Sequence, residues 1–159
     1  MPKEFHGQAH HHESTKLAIV VARYNVHVTQ RLLDGALARL SEANVPEDAI
    51  EVAWVPGAWE LPLAVERMAQ SATYDAVIAL GCVIQGETTH DVHINRQVSM
   101  ALGEMARRWK LPVLFGLLTC HSLDQAMQRA GGTHGNKGSE CAEAALEMID
   151  LLRQLPPPP

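Results

Sequence analysis

An α/β domain, a parallel sheet with helices on both faces, is the architecture this sequence predicts. Two observations predict it. Short, almost wholly apolar runs recur along the chain, and longer stretches with apolar residues at helical spacing lie between them. A strand that is apolar at every position is covered on both faces, as parallel strands are, and repeated β-α order implies right-handed crossovers. The 159 residues suit one domain with one core.

The first strand is Leu17–Ala22, LAIVVA, a near-continuous apolar run. Residues 29–43 follow as a helix that places Leu32, Leu33, Ala36, Leu37 and Leu40 on one stripe. A second strand over 51–55 leads through a turn at Pro56 and Gly57 to a helix over about 60–71. The third strand spans 76–82, and the helix after it runs over about 88–109, with Val92, Val98, Leu102 and Met105 among its apolar positions. Residues 112–119, PVLFGLLT, form the fourth strand. Two further helices are expected near 122–130 and 136–155, with Gly131, Gly132 and Gly135 between them. The sum is a flavodoxin-like three-layer sandwich with a four-stranded parallel sheet.

The ends read as tails around a single domain over 15–155. Residues 1–14 lack periodicity and are expected to be flexible, although Glu4, Phe5 and His6 offer a short additional strand. His10, His11 and His12 read as a metal-binding tract, a tag remnant or, the favoured reading, part of a mobile polar tail. The four prolines at 156–159 cannot continue a helix and extend as a polyproline tail.

Composition excludes several classes. A net charge of -5 gives no general reason to expect nucleic acid or an acidic membrane surface. Cys82, Cys120 and Cys141 are odd in number and lack CxxC spacing, which argues against a disulfide framework and for a reducing, cytoplasmic setting. No apolar run approaches the roughly 20 residues that span a bilayer, and the polar N-terminus contains no signal-type apolar region.

Parallel sheets of this kind bind ligands outside the carboxyl ends of their strands. Tyr24 and Asn25 follow strand one, Gly57–Ala58–Trp59–Glu60 follows strand two, and residues 82–90 follow strand three, so these loops should open on one edge. Tyr24 and Trp59 are placed to sandwich a flat heterocycle, with Glu60 accepting from its N–H groups. The segment 81–90, GCVIQGETTH, is the most informative. A glycine-punctuated turn before a helix N-terminus holds anions on free backbone N–H groups and the helix dipole. Here it also carries Glu87, Thr88 and His90, the last a residue type whose charge changes near neutral pH. A phosphate cradle beside a proton-transfer group suggests chemistry on a phosphorylated small molecule.

Taken in order, RYN at 23–25, VPGAWELP at 55–62, GCVIQGETTH at 81–90, PVLFGLLT at 112–119, QAMQRAG at 125–131 and GNKG at 135–138 closely resemble the 6,7-dimethyl-8-ribityllumazine synthase family of riboflavin biosynthesis. The resemblance covers about residues 16–155. It implies a transferase that condenses 5-amino-6-(D-ribitylamino)uracil with 3,4-dihydroxy-2-butanone 4-phosphate to 6,7-dimethyl-8-ribityllumazine, with loss of phosphate and water. No metal, flavin or nucleotide cofactor is implied. Tyr24, Ala58, Trp59, Glu60, Cys82, Val83 and Ile84 would hold the pyrimidine and its ribityl chain. Glu87 and Thr88 would hold the phosphate, and His90 would transfer protons. Phe115 and Arg129 would come from a neighbouring subunit, one stacking on the ring and the other gripping the phosphate, with Lys137 and Glu140 as a supporting charge pair. The resemblance therefore implies a homo-oligomer with shared sites. A pentamer is the expected unit, and the short connection between Arg129 and Asn136 favours an icosahedral shell of roughly 60 subunits, closed by head-to-tail contacts. Association with riboflavin synthase belongs to the same set of expectations.

The chain departs from the family pattern at three points. Gln85 stands where a basic residue is common, Tyr24 replaces a more usual Phe or Trp, and Asp91 and His93 interrupt a run that is commonly aromatic–acid–aromatic.

Each residue also has a plainer reading. His90 alone suits a helix start, Arg129 a helix end, and Trp59 and Phe115 an ordinary core. Lys137 and Glu140, three apart at a helix start, suit a solvated ion pair. Cys82 suits a small buried residue rather than a nucleophile, since no base is evident. Two other classes of function stand beside the synthase: a metallo-hydrolase with Glu87, His90 and His93 on one helical face, and a non-catalytic flavin-binding or shell-forming protein on the same scaffold.

Overall fold

The structure is a computed structural model and describes residues 1–159. Strands β1 (Leu17–Ala22), β2 (Ile50–Val55), β3 (Ala76–Ile84) and β4 (Val113–Cys120) form one parallel sheet in the order β2-β1-β3-β4. The chain starts at an inner strand, steps outward to β2, then returns across β1 to β3 and on to β4. Right-handed crossovers in opposite directions put their helices on opposite faces. Thus α1 (Val26–Glu42) covers one face, joined by α5 (Lys137–Gln154), while α2 (Leu61–Gln70) and α3 (His90–Trp109) cover the other. The reversal of direction lies between β1 and β3, and a crevice opens outside the carboxyl ends of such strands.

Strand alternation divides the core into two layers. Leu17, Ile19, Val21, Ile78 and Leu80 face α1 and α5, whereas Ala18, Val20, Ala22, Val77 and Ala79 face α2 and α3. Every position of β1 is fully buried, as its unbroken apolar run requires. The α1–α5 contact is close: a Cβ on Gly138 would sit 1.8 Å from the Leu32 carbonyl oxygen, so only glycine lets the two backbones meet there.

The four sheet strands and the helices expected between them are present, with shifted ends. α1 starts at Val26 because Asn25, in the left-handed conformation at φ 61°, already accepts the first helical N–H groups, those of Val28 and Thr29. β3 runs on to Ile84 because its last residues pair with β4 up to Cys120. α3 begins at His90, two residues later than expected, since Thr88 and Thr89 form the turn before it. After α4 (Leu123–Gln128), the glycine-rich link folds into an unanticipated antiparallel hairpin, β5 (Ala130–Gly132) and β6 (Gly135–Asn136). Gly131 and Gly135 supply its left-handed residues, at φ 101° and 76°.

Residues 4–6 form no strand within the single chain; this part of the expectation fails because the N-terminal segment lies along α5 and not beside a sheet edge. The Gln8 N–H donates to Asp150 at 2.9 Å, and Gln154 Nε2 donates to the His6 carbonyl at 2.8 Å. No helix is long and apolar enough to cross a membrane.

Candidate active site

Backbone hydrogen bonds tie the strand-end loops to one another. Beyond the last β1–β2 pair, the Arg23 N–H donates to the Val55 carbonyl at 2.8 Å and the Tyr24 N–H to that of Pro56 at 3.0 Å. The Asn25 side-chain amide then donates to the Cys82 carbonyl at 2.8 Å, which joins the end of β1 to the end of β3. Within the loop after β2, Glu60 Oε2 accepts the Gly57 N–H at 3.0 Å and closes the turn at Ala58–Glu60. These ties leave a cleft of about 820 Å³ at the carboxyl edge of the sheet.

The cleft gathers most of the residues expected there. Tyr24 lines it from β1, Ala58, Trp59 and Glu60 from the loop after β2, and Cys82, Val83, Ile84, Thr88 and His90 from β3 and the loop beyond it. Tyr24 is 73% exposed and Trp59 56%, so neither is a core residue and both aromatic faces are open to a ligand. Glu60 keeps one carboxylate oxygen outside the turn it closes. The thiol of Cys82 is buried beneath the floor, and burial pushes its pKa up to about 12, so it stays protonated at neutral pH and is no nucleophile. Its visible contribution is the carbonyl that holds Asn25.

His90 is the first residue of α3, and its N–H reaches the Thr88 hydroxyl at 3.3 Å. The N–H groups of residues 86–89 donate to nothing within the chain. A set of free donors at the start of a 20-residue helix is a ready anion site. Glu87 is exposed on this loop but does not line the cleft. Because α3 starts at His90, Glu87 lies ahead of the helix. The arrangement of Glu87, His90 and His93 on one helical face, which a metallo-hydrolase would need, is therefore not formed.

Phe115, Arg129, Lys137 and Glu140 lie outside the cleft. Phe115 sits on β4, an edge strand, paired with Ala79 in the layer facing α2 and α3, and it is 43% exposed. An edge strand has a neighbour on one side only, so its large side chain is not sealed into the core. Arg129 ends α4 and donates from Nη1 to the Gln125 carbonyl at 3.1 Å. Lys137 Nζ and Glu140 Oε2 pair at 3.1 Å on the exposed first turn of α5.

Some lining residues were not assigned from the sequence. Asp91, His93 and Ile94 complete the wall contributed by α3, and Pro56, Gly57 and Gly86 complete the loops. The signal for His93 and Ile94 was their spacing from His90, three and four residues along one helical face. His121, which lies outside the cleft lining, was also not singled out. Its ring hydrogen-bonds the Gln85 side chain, while the Gln85 N–H donates to the Cys120 carbonyl at 2.8 Å. The position that is usually basic thus has an imidazole against it, a contact across 36 residues with no local signature.

Comparison with known proteins agrees with this geometry. The family model described as 6,7-dimethyl-8-ribityllumazine synthase matches residues 14–153. The chain is similar to the 6,7-dimethyl-8-ribityllumazine synthase of Rhodopirellula baltica, at 53% identity over 142 residues, 89% of this chain and 92% of that protein. The matched span takes in the whole sheet and every residue of the cleft, and on that ground the chain belongs to the 6,7-dimethyl-8-ribityllumazine synthase family.

Proposed function

We propose that this protein condenses 5-amino-6-(D-ribitylamino)uracil with 3,4-dihydroxy-2-butanone 4-phosphate to give 6,7-dimethyl-8-ribityllumazine. One observation carries the reading: a single cleft joins two open aromatic faces, Tyr24 and Trp59, to the free N–H groups ahead of α3. The aromatics suit a pyrimidine, and the helix start suits a phosphate. Ala58, Glu60, Cys82, Val83 and Ile84 complete the pyrimidine and ribityl side, and Glu87 and Thr88 belong to the phosphate side.

The chemistry follows from that placement. The 5-amino group adds to the ketone, and loss of water gives an imine. Loss of a proton then drives elimination of phosphate, and closure of the second ring expels another water. Every step moves a proton, and His90 stands at the helix start beside the anion site to carry them. Holding both substrates in one cleft supplies a large part of the rate by itself.

The position of Phe115, Arg129 and Lys137 supports a site completed by a second copy. All three lie outside the chain's own cleft, and Phe115 is open to solvent on an edge strand. In this reading the neighbour's Phe115 covers the heterocycle, and its Arg129, backed by Lys137 and Glu140, grips the phosphate. A ring of five copies is the minimum unit, and the short β5–β6 hairpin favours closure into an icosahedral shell. The enzyme is a cytoplasmic transferase that works without a cofactor and passes its product to riboflavin synthase.

The test is turnover with the two substrates, followed by the absorbance of the lumazine, alongside sedimentation at near-neutral pH. Turnover by a particle of pentamer size or larger supports the reading. A stable, fully active monomer would overturn the shared site, and an inactive pentamer would overturn the catalytic assignment.

A further inference from the structure

His10, His12 and Asp150 bring their ligand atoms within 4.8 Å of one another, at the opposite end of the domain from the cleft. Asp150 lies near the end of α5, where Arg153 reaches the Thr15 hydroxyl at 3.3 Å just ahead of β1. This is the amino edge of the sheet, and the cleft is at the carboxyl edge. We propose that His10, His12 and Asp150 form a zinc-type metal site that clamps the N-terminal segment onto α5.

The arrangement within the cluster is that of a held ligand set. His12 Nε2 lies 2.7 Å and His10 Nε2 3.7 Å from the same oxygen of Asp150, Oδ1. Tetrahedral zinc, with bonds of about 2.0–2.1 Å to nitrogen or oxygen, needs ligand atoms roughly 3.3 Å apart, so modest side-chain adjustment admits the ion. The other carboxylate oxygen, Oδ2, accepts the Gln8 N–H and Gln154 Nε2, both at 2.9 Å. Such outer hydrogen bonds orient a ligating carboxylate. Asp150 is buried while His10 is exposed, which gives the ion an open approach to an anchored ligand.

The backbone is adapted to this contact. Gly7 lies so close to α5 that a Cβ there would meet the Glu147 carbonyl oxygen at 2.0 Å, one helical turn before Asp150. His10 and His12 share a side of the segment with ring centroids 4.4 Å apart, while His11 turns elsewhere and leaves its Nδ1 buried without a partner. A plain ion pair needs only His12; the second imidazole on the same oxygen is what a metal uses. An O,N,N set suits zinc and leaves a fourth position for water.

Zinc titration by calorimetry into the chelator-treated full-length protein tests the proposal. One zinc per chain is expected, with affinity lowered about tenfold or more by His10→Ala, His12→Ala or Asp150→Asn and changed less than about threefold by His11→Ala. Zinc should also slow proteolysis ahead of Thr15 in the parent and not in His10→Ala, whose exposed side chain can be removed without disturbing the fold. Equal loss with His11→Ala would overturn the site in favour of binding by the histidine tract alone. Unchanged affinity in His10→Ala and Asp150→Asn would overturn it outright. Turnover should be the same with zinc or chelator, so failure here leaves the catalytic reading untouched.

Discussion

The backbone N–H of Lys137 donates to the carbonyl of Arg129 at 2.9 Å, which locks together the positions of two cationic side chains across the β5–β6 hairpin. The hairpin exists because Gly131 and Gly135 accept left-handed conformations. A turn that looks like a mere connection therefore sets where a basic pair stands at the rim of the molecule.

Arg129→Lys should lose most activity and raise the KM for the butanone phosphate far more than that for the pyrimidine. Lysine keeps the charge but lacks the forked donors that grip a phosphate in a fixed plane. Steady-state kinetics with each substrate varied in turn checks this, and equal weakening of both would place Arg129 in a structural role.

His90→Ala should slow turnover by about 10²–10⁴-fold, the usual contribution of general acid–base help. The side chain is exposed at the helix start, so far-ultraviolet circular dichroism and particle size should be unchanged. A variant as fast as the parent across the pH range would remove His90 from the mechanism.

Gln85→Arg should tighten phosphate binding and steepen its dependence on ionic strength, because a full charge near the anion is screened by salt and a neutral amide is not. The change also removes the Gln85–His121 hydrogen bond. Inorganic phosphate as a competitive inhibitor, measured over a range of salt, reads the effect. An unchanged salt response would place residue 85 away from the anion.

Gly138→Ala should destabilise the fold by about 1–3 kcal/mol or more, the range for forcing extra volume into a close-packed contact. The new methyl would meet the Leu32 backbone at 1.8 Å, and a backbone cannot swing aside as a flexible side chain does. Thermal melting of parent and variant checks this. Gly103→Ala is the control, since nothing lies within 4 Å of its added methyl, and it should melt at or above the parent temperature.

Acid should release the N-terminal segment. The Gln8 N–H, then His12, hold the Asp150 carboxyl below its ordinary value of 3.8. A carboxylate with a lowered folded pKa adds stability above its unfolded pKa, and that stability is lost as pH falls through the folded value. Protease cutting ahead of Thr15 by an acid-active protease should therefore accelerate only below about pH 3.8. In Asp150→Asn the segment should be cut readily at every pH, without that step.

The order of strands and helices, the double-sided burial of Leu17–Ala22 and the loops that meet at the cleft were all legible in the sequence. Periodicity and turn residues are local signals, and β-α repetition leaves few topologies for the chain to choose among. Tyr24, Trp59, Glu60 and His90 were expected at the carboxyl edge and line the cleft there, because each belongs to a connection that leaves the carboxyl end of a strand. Only the tertiary structure decided what depends on neighbours in space. Phe115 lies in an apolar run that reads as core, yet it is open because crossover direction puts β4 at the sheet edge. His121 meets Gln85, Lys137 meets Arg129, and the aperiodic N-terminal segment finds Asp150, a partner 138 residues from His12. Such contacts have no local period, because they form only when packing of the helices on the sheet brings distant loops to the same edge.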